Sequence, residues 1–238
     1  MKTNLLLIIF LTVSNMIAAQ SPVDTSHTFT TSTLALNLDG AKHAYHPNNE
    51  GLLYNLNGGI SQEEAKINTF SKGKAYGIAK KQIGNTGKYR GYIQADGYYV
   101  SQTSPYNKNK PDSLPEAYAD AEVIPYITLS PGWKTKGVKN CDLAYVVNLD
   151  NGKESPAIFA DYRNNDKDVE ISLALAKALS VPVVTRQGTS YDGAKPVTRY
   201  IAIRNKRLKI YYFPNSGNGN GKTANQIQQM AKKLMGKN

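Results

Sequence analysis

The stretch AIFADYRNNDKDVEISLALAKALS, residues 157 to 180, decides how the chain is read. It opens as a short apolar run, the mark of a buried strand, and Asp161 closes that run. A charged loop follows, and then Leu173, Leu175, Ala176 and Leu179 fall roughly on one helical face. The pattern predicts strand, loop and helix, with Asp168 as the cap and Glu170 in the first helical turn. Upstream, EVIPYITL (122 to 129) and LAYVVNL (143 to 149) are similar apolar runs, and Asn151-Gly152 predicts that residues 143–149 and 156–161 form an antiparallel hairpin.

The same reading extends to both ends. TFTTSTLALNL (28 to 38) predicts one strand with Leu34, Leu36 and Leu38 on one face, and residues 48 to 59 read as loop. AYGIAKKQIG and YRGYIQADGYYVSQTS flank the turn NTGK. VPVV after Ser180 resumes an extended form, and TRYIAIR and LKIYYFP predict a hairpin around Asn205-Lys206-Arg207. TANQIQQMAKKLM predicts a closing helix whose Ile227, Met230, Ala231 and Leu234 face the core. The expected fold class is a β-rich α+β protein: a small antiparallel or mixed β-barrel, of which the double-psi barrel is one form, with a few packed helices.

MKTNLLLIIFLTVSNMIAAQ reads as a secretory signal over residues 1–19, too broken at Ser14 and Asn15 for a membrane span of roughly 20 apolar residues. Residues 20–75 are then an N-terminal segment of uncertain role and 76–238 the main domain. Cys141 is the only cysteine, so no intramolecular disulfide forms, and it is expected to be a small buried hydrophobe. The net charge is +11, yet residues 112 to 170 hold eleven acids against six bases. That acidic middle reads either as a cation-attracting groove in a basic shell or as solvated loops.

Nucleophilic triads and metal sites have little support. His27, His43 and His46 are the only histidines, no G-x-S-x-G is present, and HAYHP ends in a proline that argues against a helical metal pair. Acid and base work falls to carboxylates. Asp161 at a strand end and Glu170 nearby suit glycoside hydrolysis, which needs one acid and one base or nucleophile. Spacing alone favours a turn or helix-dipole role over chemistry.

DGYYVSQTS (96 to 104), DAEVIPYITL (120 to 129), CDLAYVVN (141 to 148), AIFADYRNNDKDVEISLALA (157 to 176) and YYFPNSGNGN (211 to 220) together resemble the glycoside hydrolase family 75 chitosanases. The resemblance implies a secreted hydrolase that cleaves chitosan internally at β-1,4 linkages with inversion, with Asp161 and Glu170 as the catalytic pair and Glu170 the acid. It also implies a polysaccharide partner, no cofactor, no nucleic acid and a monomer. Two departures stand out: the family flanks its Glu with glycines where this chain has Val169 and Ile171, and Cys141 stands where a glycine is usual.

A polyglucosamine substrate carries ammonium groups, so Asp120, Glu122 and Asp142 are candidate subsite acids. Tyr98, Tyr99, Tyr126 and Trp133 are candidates for stacking on sugar rings, with strand packing as the competing role. An inverting pair should stand roughly 6.5 to 9.5 Å apart and a retaining pair near 5 Å. Chitin or peptidoglycan is the alternative substrate, and a secreted protein that binds wall polymers without turnover is the alternative function.

Overall fold

The computed structural model describes residues 27–54, 59–203 and 207–237; the expected signal segment lies outside the described residues. In chain order the elements are β1 (Thr28–Thr31), β2 (Leu34–Asn37), α1 (Gln62–Lys66), β3 (Phe70–Ser71), β4 (Lys80–Gln82), β5 (Lys88–Gly91), β6 (Tyr126–Leu129), α2 (Pro131–Thr135), β7 (Leu143–Asn148), β8 (Glu154–Tyr162), β9 (Val169–Ser172), α3 (Leu173–Ala178), β10 (Val183–Thr189), β11 (Pro196–Ile203), β12 (Leu208–Phe213) and α4 (Ala224–Leu234). Seven strands join in the order β1-β12-β7-β8-β6-β9-β2. Its two edges, β1 and β2, are separated in sequence only by Ser32 and Thr33. Laid flat, seven strands would hold their edges roughly 29 Å apart. Three residue steps span at most about 11 Å. The sheet therefore curls into a barrel-like shell, and the chain is a β-rich α+β protein with short helices around it.

Alternation along the strands builds two cores. Ala144, Val146, Ala157 and Phe159 face the inside of the curl with Ile127, Ile171, Trp133 and Leu175. Leu143, Tyr145, Ile158 and Ala160 face the other way, onto Ile227 and Ala231 of α4 and onto Phe70, Ile78 and Tyr99 beside the small β3-β5-β4 sheet. Burial on both faces is why β7 and β8 read as continuous apolar runs rather than alternating ones. The Asn151-Gly152 turn joins them as an antiparallel hairpin, with Gly152 at a φ of 72°.

Three expectations change. Residues 28–38 form two strands rather than one, because β1 pairs with β12 and β2 with β9. β11 pairs with β10 and β12 with β7, so the hairpin expected around residues 205–207 does not form; Asn205 and Lys206 lie outside the described residues. Met230 and Leu234 are exposed on α4, while Ile227 and Ala231 alone carry its buried face. The described part of the segment whose role the sequence left open joins the main fold: β1 and β2 belong to the main sheet, and Leu38, Ala41, Tyr45 and Phe70 pack into the same core as Tyr126 and Ile158. Among the described residues no helix is long and apolar enough to cross a membrane.

Candidate active site

Glu170 lies on strand β9, not in a helix. The VEIS segment pairs with LALN of β2 in parallel, and Ser172, not Asp168, caps α3 by accepting the Leu175 N–H at 3.2 Å. β-branched Val169 and Ile171 suit a strand and point into the interior, so Glu170 between them faces the opposite side.

Asp161 reaches that same side by breaking the alternation of β8. A regular strand would send it inward with Ala157 and Phe159. Instead the register shifts: Ile127 faces Phe159 but Leu129 faces Tyr162, which inserts one residue on β8. Asp161 takes a φ of 69°, a left-handed conformation that Asp tolerates better than most residues. The bulge re-aims the carboxylate.

Asn37, the last residue of β2, joins the two. Its Nδ2 donates to Asp161 Oδ2 at 3.1 Å and to Glu170 Oε2 at 3.2 Å. Its Oδ1 accepts the Asp39 N–H at 2.8 Å and meets the Tyr126 hydroxyl at 2.7 Å, which fixes the amide's orientation. Asp161 Oδ1 accepts the Ser104 N–H at 3.1 Å, and Arg163 Nη1 lies 3.5 Å from Glu170 Oε1. Asp39 accepts from the Tyr45 hydroxyl at 2.7 Å. A cleft of about 400 Å³ opens over Asn37, Asp39 and Glu170, and Tyr54, Arg186, Arg199 and Tyr200 also line it.

Burial sets the electrostatics. It pushes Asp161 up to about 6, the Glu170 charge adding to it while N–H donors from Tyr162, Asn37 and Ser104 oppose it. Asp39 rises to about 7 through burial and then the charges of Asp161 and Glu170, against the Tyr45 bond. Tyr45 and Tyr126 are raised well above the ordinary phenol value, mainly by burial and then by the nearby carboxylates, so both remain neutral hydroxyls.

The expected substrate contacts fare differently. Asp142 is buried and accepts backbone N–H groups of Lys139, Asn215 and Gly217 at 2.8 to 3.0 Å, which makes it a loop anchor rather than a subsite acid. Tyr99 is fully buried and donates to the Ala65 carbonyl, so it does not meet a sugar. Tyr126 is equally buried and serves the site by holding Asn37. Trp133 sits in the core among Phe29, Phe159 and Tyr212. Tyr98 lies edge-on to His43 and His46, ring centroids 4.6 and 4.7 Å away. Asp120 faces a different cavity, beside Lys42 and Tyr118, and its carboxylate accepts the Glu122 N–H in a tight turn. Sequence reasoning missed Asn37, Asp39 and Tyr45. The one available signal was polar Asn37 and Asp39 in step at the end of an otherwise apolar strand.

No protein-family model matches the chain, and no curated protein matches it.

Proposed function

We propose that the protein is a secreted, endo-acting glycoside hydrolase that cleaves β-1,4 linkages of chitosan, with Asp161 and Glu170 as its acid–base pair. The observation that carries this reading is the convergence of both carboxylates on one Asn37 amide, which lines a cleft together with Glu170. Glycoside hydrolysis needs two rigidly held carboxyls, one to protonate the leaving oxygen and one to activate water or attack the sugar. The bulge at Asp161 supplies a second argument, because a strained backbone persists where surrounding contacts impose it and clusters at functional sites. Cys141 supports the family resemblance: its φ of 71° is a conformation that favours the glycine usual at that position.

The environments support one division of roles. Asp161, pushed up by burial, is on the side of the pair that retains a proton, and Glu170, open to the cleft beside Arg163, is the base. This reverses the assignment that the family resemblance implies. The bridged oxygens of Asp161 and Glu170 stand no further apart than the two Asn37 bonds laid end to end.

Arg186 and Arg199 in the cleft favour a second reading of the substrate. They would repel glucosamine ammonium groups, whereas chitin or peptidoglycan carries far less positive charge. A fall in the viscosity of polymer solutions ahead of reducing-end release, measured on chitosan, chitin and peptidoglycan in parallel, tests endo-hydrolysis and ranks the three. Binding without any chain scission would leave a wall-polymer-binding protein instead.

A further inference from the structure

We propose that Asp39 takes over the acid role given above to Asp161: it is the group that hands a proton to the glycosidic oxygen, with Asp161 behind it as a positioning residue. The inference rests on the hydrolase reading. A general acid must touch the oxygen it protonates. Asp39 and Glu170 both line the cleft; Asp161 is only 9 % exposed, and its two oxygens are engaged by Ser104 and Asn37.

Asp39 is also held in place. Oδ1 takes the Tyr45 hydroxyl, its N–H binds Asn37, and its carbonyl, 2.8 Å from the Tyr126 hydroxyl, shares that hydrogen with Asn37 Oδ1. A Cβ on Gly77 would stand 2.3 Å from Oδ1 and 2.4 Å from the Tyr45 hydroxyl, so the bond exists only because a glycine faces it. The charged groups around it are Asp161 and Glu170, which hold the proton on, and Arg186 and Arg199 in the cleft wall; the Tyr45 hydroxyl works against protonation.

In the step, the Asp39 O–H gives its proton to the glycosidic oxygen as the bond from the anomeric carbon breaks, the electron pair leaving with that oxygen. Water, losing a proton to Glu170, forms the new bond to the anomeric carbon. Asp39 ends as a carboxylate and Glu170 as an acid, and exchange with solvent restores both.

The test uses the full-length protein, chitosan, and a 2,4-dinitrophenyl β-glycoside of the glucosamine disaccharide, whose leaving group needs no proton. Asp39→Asn should lose about 100-fold or more on chitosan, while keeping most activity on the aryl glycoside; Glu170→Gln should lose both. Tyr45→Phe should move the alkaline limb of kcat/KM to higher pH, and Asp161→Asn should move it lower. Equal losses of Asp39→Asn on both substrates, or wild-type activity on chitosan with an unmoved pH profile, overturn the proposal alone. Inactivity of the wild type on both substrates overturns the chitosan-hydrolase reading and this one with it.

Discussion

The Tyr126 hydroxyl stands 2.7 Å from Oδ1 of Asn37, and with the Asp39 N–H it decides which end of that amide faces the carboxylates. Tyr126→Phe removes one buried bond and should cost about 1–2 kcal/mol of stability. It should also lower kcat/KM about tenfold, since Asn37 is freer to turn its oxygen toward Asp161. Thermal unfolding and kinetics on the same preparation check this. A variant less stable but kinetically unchanged would show that Asn37 needs no such support.

Asp161 occupies a left-handed backbone position, which separates two substitutions that otherwise look alike. Asn adopts that conformation readily and Ala does not. Asp161→Asn should therefore stay within about 1 kcal/mol of the parent, while Asp161→Ala should lose roughly 1–2 kcal/mol more. Denaturant midpoints of the two variants give the comparison, and equal midpoints would count against strain at the bulge.

Asp39 and Asp161 are both raised in the folded chain, to about 7 and about 6. Between the ordinary aspartate value and these values, the folded state binds protons that the unfolded state has released. Stability contributed by the protonated forms is thus present at about pH 4 and is lost as pH rises toward 7. Asp39→Asn does not titrate and still accepts from Tyr45. It should match the parent near pH 4 and exceed it by on the order of 1–3 kcal/mol at pH 8. Unfolding curves across that range check the sign; a variant less stable at pH 8 than the parent would contradict it.

Much of the sheet was legible because β7 and β8 bury both faces and Asn-Gly leaves one choice of turn. Asp161 was legible as the end of a strand, but the direction of its side chain was not, since the bulge exists only against β6. Glu170 was misplaced for a related reason. Asp168 followed by an apolar run satisfies a helix cap rule, yet pairing of Val169–Ser172 with Leu34–Asn37 lies some 130 residues away in sequence and overrides it. Asn37, Asp39 and Tyr45 join the site through that same pairing. The strand aromatics were ambiguous in sequence because Tyr99 and Tyr126 bury an apolar ring and satisfy one hydroxyl, which periodicity does not distinguish from a sugar platform.

Asp142 gives a contrasting case. Its carboxylate holds three backbone N–H groups across two loops, so Asp142→Ala should cost roughly 2–4 kcal/mol by leaving buried donors unpaired. Activity per folded molecule should stay near that of the parent. A stable Asp142→Ala protein with raised KM would restore the subsite role that its burial argues against.

The most direct test of the central claim is reducing-end release from chitosans of graded acetylation, with wild type and Glu170→Gln side by side and folding checked by circular dichroism. Release by the wild type that falls by at least about 100-fold in the folded variant is the predicted result. Equal release by both proteins, or none from the wild type on any chitosan, would contradict the assignment of Glu170 to a chitosan-cleaving pair.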